Sequence, residues 1–165
     1  MIRHRRRAFV LITALLLSVI LLVSGLGIMS AQASRYAASA LIADSLQAKN
    51  AALSGMEDVR VKLAKDVKFP PRKSKSRGQT KFAYSENLDD SDPTRPVSYS
   101  VVVDFEYERE VIVQGRFAPF RWGVYRITVN GYVGPRNEPI ALCQLYAEYD
   151  ISTGQFLRFE DKSSL

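Results

Sequence analysis

The chain has 165 residues and a formal net charge of +6, from 23 basic and 17 acidic residues. Without Arg3, Arg5, Arg6 and Arg7 this charge falls to +2, so the remainder lacks the basic surface typical of nucleic-acid-binding proteins. Cys143 is the only cysteine, which excludes an intramolecular disulfide.

A basic tail and a long apolar run open the chain. Residues 3–7 read Arg-His-Arg-Arg-Arg, and an uncharged run follows from Ala8 to Met29. About 20 apolar residues cross a bilayer as a helix, and arginines favour the cytoplasmic side. The pattern predicts a single-pass membrane protein with a cytoplasmic N-terminus. A secretory signal peptide cleaved after Ala33 is an alternative, although typical signal peptides have a shorter apolar core of about 7–15 residues.

The start of the apolar run resembles the processing site of type IV pilins and pseudopilins. Residues 7–13 read Arg-Ala-Phe-Val-Leu-Ile-Thr, where the family has a basic leader, a small residue and then Phe. The resemblance implies that a prepilin peptidase cleaves between Ala8 and Phe9 and that the new amine of Phe9 is methylated. It also implies an inner-membrane protein whose C-terminal domain is periplasmic or extracellular.

Two positions depart from this family pattern. Ala8 replaces the usual Gly before the cleavage site, and Thr13 replaces the Glu found at the fifth mature position of most pilins. In the family, that Glu neutralises the buried amine of a neighbouring subunit, and an unpaired charge among apolar helices is costly. Because Thr13 has no carboxylate, the resemblance implies a minor subunit that acts in priming, tip formation or assembly.

A long helix is predicted for residues 9–68, with 9–29 in the membrane and 30–68 as an amphipathic segment. Pro70 and Pro71 end it, because proline cannot donate an amide hydrogen bond inside a helix. In the second part, apolar residues recur at spacings of three, four and seven, which predicts one face packed on a sheet. The stripe comprises Ile42, Leu46, Leu53, Met56, Val59, Leu63 and Val67.

A second resemblance falls within this helix. Residues 47–58 read Gln-Ala-Lys-Asn-Ala-Ala-Leu-Ser-Gly-Met-Glu-Asp, similar to a segment of PilX-type pilus assembly proteins, which have Glu where this chain has Leu53. The segment Tyr125 to Gly131 is also similar to a sheet segment of that group.

A polar connector is predicted for residues 69–96, with a basic patch followed by an acidic one. The basic patch, at residues 72–81, favours a solvated loop, and DNA binding is the alternative because Phe82 and Tyr84 could stack bases. The acidic patch lacks the Gly and terminal Glu of a calcium loop, so no metal site is predicted.

Residues 97–165 are predicted to form an antiparallel sheet, the head. From Val97 to Tyr107 apolar residues alternate with Ser98, Asp104, Glu108 and other polar residues, which indicates a strand with one wet face. Three further strands are predicted, at residues 125–130, 141–151 and 155–159, and Cys143 is predicted to be a small buried side chain on the second of them. Together with the helix, these strands predict an α+β, pilin-like fold: a long N-terminal membrane-spanning helix packed on a C-terminal antiparallel sheet.

Residues 115–123 are predicted to form a loop with three aromatic residues and two arginines, residue types enriched in protein interfaces. We therefore expect a partner-binding loop, with the alternative that it folds back over the helix. Its candidate residues are Arg116, Phe117, Phe120, Arg121 and Trp122.

No catalytic pattern is present. His4 is the only histidine, and no nucleophile, nucleotide-binding or zinc motif occurs, so neither an enzyme nor a cofactor is expected. The first hypothesis is a minor pilin or pseudopilin of a type IV pilus or a type II secretion-like fibre, with other pilins or pseudopilins as partners. The alternative is a permanently anchored envelope protein whose periplasmic domain binds a partner.

Overall fold

The computed structural model describes residues 2–66, 68–71, 80–89, 91–111, 115 and 120–163, with side chains from residue 12 onward except at 110 and 120. One long helix, α1, runs over Ile2–Lys65. The chain divides into two compact units, Met1–Ile42 and Ala43–Leu165. Lys62 and Lys65 lie in the last turn of α1, where positive charge favours the negative end of the helix dipole.

Five strands follow the helix in one antiparallel sheet whose order is that of the chain, β1-β2-β3-β4-β5. The strands are β1 (Lys81–Asp89), β2 (Val97–Val111), β3 (Phe120–Val133), β4 (Ala141–Asp150) and β5 (Gln155–Asp161). Each strand pairs with its neighbour along the chain, which leaves β1 and β5 as the edges. The α+β arrangement of an apolar N-terminal helix and an antiparallel sheet is therefore confirmed.

The second unit has one apolar core between the last turns of α1 and one face of the sheet. Val101, Val103, Ile127, Val129 and Leu145 are fully buried there. They alternate along β2, β3 and β4, because successive strand residues point to opposite faces. Cys143 is buried on the same face, as predicted, and its sulfur lies 3.1 Å from the Ser163 hydroxyl oxygen.

The helix residues that meet the sheet differ from the predicted stripe. Met56 and Val59 are buried as expected, whereas Leu46 and Leu53 are exposed. Small side chains enter the core in their place, and they are Ala48, Ala51 and Ala52. The reason is a close approach of the backbone: an added Cβ at Gly131 of β3 would lie 2.1 Å from the Ala48 carbonyl oxygen. Leucine at this contact would force the helix away from the sheet.

The predicted connector contains a strand. Residues 81–89 form β1, in which Phe82 and Tyr84 pair with Val103 and Val101 of β2. The interpretation of 69–96 as a continuous polar loop is therefore wrong over this stretch. Most side chains of β1 are exposed, because it is an edge strand whose outer surface faces solvent. Its composition is therefore as polar as that of a loop.

The alternation predicted for β2 changes phase in the second half of the strand. The register with β3 shifts between Asp104 and Tyr107, which indicates a β-bulge. An inserted residue exchanges the two faces beyond it. Tyr107, predicted on the buried face, is exposed, and the Glu108 side chain, predicted on the wet face, is only 4% exposed.

Candidate assembly surface

The apolar part of α1 has no packing partner among the described residues. Every side chain from Ile12 to Ala43 is exposed. The most apolar window has a mean hydropathy of 2.5, and none of it is buried. By length and composition α1 can therefore span a membrane, a test that a signal sequence near the N-terminus would also pass. The large apolar side chains on this surface are Ile12, Leu15, Leu16, Leu17, Val19, Ile20, Leu21, Leu22, Val23, Leu26, Ile28 and Met29.

Hydroxyl groups along this surface are satisfied within the helix itself. Ser18 donates to the Ala14 carbonyl at 2.9 Å, and Ser34 donates to the Ser30 carbonyl at 3.1 Å. Such bonds to the preceding turn lower the cost of placing serine in an apolar environment. Between Ile12 and Ser34 the sequence has no charged residue. This surface therefore suits contact with lipid or with other apolar helices.

Apolar exposure continues into the second unit. Leu46 and Leu53 lie two turns apart on α1 and are 57% and 40% exposed. Residues seven apart lie on the same face of a helix, so the two leucines form a short stripe. Because the core is formed by Ala48, Ala52 and Met56, this stripe is a separate face of the same helix.

The predicted processing residues lie within α1. Ala8 and Phe9 belong to the helix Ile2–Lys65, and their side chains lie outside the described residues. The Thr13 side chain is exposed on the apolar surface. Cleavage between Ala8 and Phe9, methylation of Phe9 and a helix-assembly role for Thr13 stay predictions.

The predicted partner loop falls only partly on described residues. Arg116 and Phe117 lie outside them, while Phe120, Arg121 and Trp122 begin strand β3. The loop assignment is therefore wrong for its last residues, because the bulged β2 pairs with β3 as far as Val111 and Phe120. A partner-binding role for these residues stays a prediction.

Arg121 and Trp122 have different surroundings. Arg121 forms an ion pair with Glu108, with Nε to Oε1 at 3.5 Å and only 17% of its side chain exposed. The neighbouring Trp122 is 48% exposed. Of these two, Trp122 is the residue that can contact a partner, whereas Arg121 compensates a buried carboxylate.

A polar cluster joins α1 to the first two strands. The Lys62 ammonium donates to Asp58 at 2.7 Å and to Glu86 of β1 at 2.9 Å. Tyr84 donates to Asp58 at 2.7 Å, and Tyr99 donates to Glu86 at 3.0 Å. This cluster fixes the edge strand against the last turns of the helix, which is a structural role.

The pKa values in this cluster follow from its hydrogen bonds. Burial alone would raise the pKa of Asp58, but the hydrogen bonds from Lys62 and Tyr84 offset it and lower that pKa. Burial, together with the Asp58 carboxylate, raises the pKa of the Tyr84 phenol above its ordinary value. Both shifts favour an ionised Asp58 carboxylate that accepts a hydrogen bond from a protonated Tyr84 phenol.

Sequence reasoning missed the ion pairs that tie distant segments together. Asp44, almost buried on α1, pairs with Arg95 in the β1–β2 turn. Lys49 of α1 pairs with Asp161 at the end of β5, at 2.9 Å. Neither pair has a local signal, because its members are far apart in the chain.

The predicted acidic and basic patches lie only partly on described residues. Among the residues that the structure describes, no three His, Cys, Asp or Glu side chains are placed to hold a metal ion. Residues 72–77 of the basic patch lie outside that part of the chain, and Lys81 pairs with Asp104 at 3.7 Å. DNA binding by the patch is therefore untested.

Comparison of the chain with protein-family models, with curated proteins and with solved structures finds no match.

Proposed function

We propose that the protein is a minor pilin or pseudopilin subunit of a type IV pilus or type II secretion-like fibre, and that it acts in priming, tip formation or assembly. Its N-terminal helix is held in the inner membrane and then packs among the helices of other subunits. The head determines which neighbours the subunit contacts. A prepilin peptidase and other pilins or pseudopilins are its partners.

The observation that supports this proposal best is that α1 has an exposed apolar part and a part that packs in the core of the head. From Ile12 to Ala43 every side chain is exposed, and most of them are apolar. From Ala48 to Val59 the same helix supplies the core of the head. A simple membrane anchor needs only about 20 apolar residues. The exposed leucines at 46 and 53 extend the apolar surface beyond that length, as a helix that packs on other helices requires.

The residues of the predicted processing site add a second argument. Ala8 and Phe9 resemble a prepilin cleavage site, and Thr13 lacks the carboxylate of abundant subunits. A subunit without that carboxylate cannot neutralise a neighbour's buried amine, which limits it to positions where no such amine must be met.

The decisive experiment is the intact mass of the protein recovered from membranes of cells that express a prepilin peptidase. We expect a chain that begins at Phe9 with one added methyl group. Ala8→Gly should be processed at least as completely, and Ala8→Leu, which enlarges the residue before the cut, should block processing. Cells without the peptidase supply the matched control.

Two outcomes contradict the proposal. A full-length mass in the presence of the peptidase would favour a permanently anchored envelope protein whose head binds a partner. A mass that begins at Ser34 would indicate a secreted domain.

A further inference from the structure

A depression of about 780 Å³ lies at the turn-side end of strands β1 and β2. Ser98 follows Val97 and precedes Tyr99, both of which face the core, so by alternation it lies on the opposite face of the sheet. The depression is lined by Ser85, Asn87, Pro93, Pro96, Ser98, Gly134 and Arg136. It thus opens on the face of the sheet that α1 does not cover.

Arg136 is held in place by three neutral groups of this depression. Its Nε donates to the Ser98 hydroxyl at 3.3 Å, and one terminal nitrogen donates to the Ser85 hydroxyl at 2.7 Å. The other terminal nitrogen donates to the Asn87 side-chain oxygen at 3.2 Å. No carboxylate of the described residues pairs with this guanidinium. Within the described part of the chain, its positive charge is therefore positioned by hydrogen bonds and not by an ion pair.

The two serines leave additional donors in the same place. Each hydroxyl accepts from Arg136, so its own proton must point to another acceptor. Ser98 is only 2% exposed and lines the depression, so its hydroxyl is within reach of a group that enters it. A buried hydroxyl donor needs an acceptor, and a ligand oxygen in the depression would supply one.

The number of donors matches one particular ligand group. A guanidinium has about five N–H bonds, of which three are used within the protein, and the two hydroxyls supply two further donors. Arg136, Ser85 and Ser98, which we call the carboxylate cradle, therefore offer about four hydrogen bonds. This is the number that the two oxygens of a carboxylate accept.

Nearby acidic residues disfavour a polyanion. Asp89, the last residue of β1, and Asp92, in the β1–β2 turn, accept hydrogen bonds from Ser91 and Thr94, which lower the pKa values of both carboxyls and keep them ionised. A nucleic acid passing over this turn would meet both negative charges. A single carboxylate seated on Arg136 would not.

We infer that the depression around Arg136 is a binding site for a single carboxylate group, borne by a small organic acid or by an acidic side chain of a peptide. The serine hydroxyls and the guanidinium hold its oxygens, and Pro93 and Pro96 supply the apolar rim. This site lies on the head and does not depend on processing or on fibre assembly.

The test is a titration of the isotopically labelled full-length chain in an uncharged detergent, followed by backbone amide shifts in NMR spectra. Glucuronate and N-acetylglutamate amide are the two carboxylate probes, and glucose and N-acetylglutamine amide are their neutral counterparts. We expect saturable shifts at Ser85, Ser98 and Gly134 with the acids only. The probe with the higher affinity identifies the source of the carboxylate.

Variants then assign the binding to these side chains. Arg136→Gln should weaken binding by about tenfold or more, since bonds to a charged group are lost, and Ser98→Ala should weaken it several-fold. Arg109→Gln is the matched control, because it removes the same charge from an exposed arginine in the far half of β2. Spectra without ligand show whether each variant is folded.

Three results would overturn the inference. They are the absence of shifts in the depression with both acids, equal binding of acids and neutral counterparts, and unchanged affinity in a folded Arg136→Gln variant.

Discussion

At the scale of single residues, the contact between helix and sheet depends on Gly131. An added Cβ there would lie 2.1 Å from the carbonyl oxygen of Ala48 and 2.5 Å from the amide nitrogen of Ala52. Both atoms belong to the helix backbone, which cannot rotate away as a side chain can. Only glycine therefore fits at position 131, and only small residues fit at the helix positions that face it, Ala48 and Ala52.

Gly131→Ala should lower the free energy of unfolding by about 1–3 kcal/mol or more, because the helix must move outward from a packed core. The measurement is denaturant unfolding of the full chain in an uncharged detergent, followed by the near-ultraviolet signal of the buried tyrosines. Gly55→Ala should cost less, since its Cβ meets the side chains of Tyr99 and Val129. Gly25→Ala, with open space around it, is the control and should cost nothing. Equal effects at the three positions would contradict the close approach.

Asp161 supplies a pH-dependent prediction. Hydrogen bonds from Ser163, and then from Lys49, lower the pKa of the Asp161 carboxyl to about 2. An unfolded aspartate has a pKa of about 3.9. Because the folded value is depressed, the stabilisation is fully present above about pH 4 and is lost as the pH falls towards 2.

The carboxyl carbon shift of Asp161 measures this directly. We expect a midpoint near pH 2 in the folded protein, a higher one in Ser163→Ala and a smaller rise in Lys49→Met. Lys65→Met removes another lysine of the same helix and should leave the midpoint unchanged. A midpoint near 3.9 in the unmutated chain would disprove the described contacts.

At the scale of elements, the bulge in β2 decides which side chains the far end of the sheet buries. The register shift between Asp104 and Tyr107 brings Glu108 inward, opposite Gly123 of β3, where it forms an ion pair with Arg121 two residues away along that strand. Removing one member of a buried ion pair leaves an uncompensated charge, which typically costs about 3–5 kcal/mol.

Arg121→Met should therefore destabilise the head by several kcal/mol, and the double variant Glu108→Leu/Arg121→Met should regain most of that loss.

Trp122→Ala, at an exposed neighbour, should change stability by less than about 0.5 kcal/mol. If these residues contact a partner, the tryptophan variant should still weaken its capture. Thermal unfolding measures the change in stability, and co-purification measures the capture of the partner. A large loss of stability in Trp122→Ala would place its side chain in the core.

The elements with strong periodicity could be predicted from sequence, and those that depend on tertiary contacts could not. The alternation of Tyr125, Ile127 and Val129 marks a strand by itself, and so does that of the buried residues of β4. Strand β1 was missed because an edge strand with a wet surface has the composition of a loop. The bulge is invisible in the sequence, since Phe105 to Glu108 continue a regular alternation.

The apolar surface of α1 and the depression around Arg136 differ in the same way. A contiguous apolar run is a local signal, so the exposed surface of α1 follows from sequence. The carboxylate cradle does not, because Ser85, Ser98 and Arg136 are separated in the chain and meet only through strand pairing and the turn after β3. In the sequence alone, these serines and this arginine cannot be distinguished from ordinary surface residues.

At the scale of the whole molecule, the proposed role in a fibre makes Thr13 the residue that limits where the subunit can sit. Thr13→Glu would supply the carboxylate that a neighbouring amine requires, so we expect the variant to appear along the fibre in larger amounts. Quantitative mass spectrometry of sheared fibres measures the ratio to the main subunit, with Thr13→Gln as the uncharged control. An unchanged low ratio in the Glu variant would show that another feature limits incorporation.

The bond between Lys49 and Asp161 spans 112 residues of chain, and the core residues of α1 are likewise distant from their strands. The sheet itself is a meander of neighbouring strands, which closes short loops. During synthesis at about 5–20 residues per second, β5 emerges roughly 6–20 s after Lys49. The Lys49–Asp161 bond can therefore form only after the helix and the first four strands have been synthesised, so this contact between the two ends of the second unit is left to the end of synthesis.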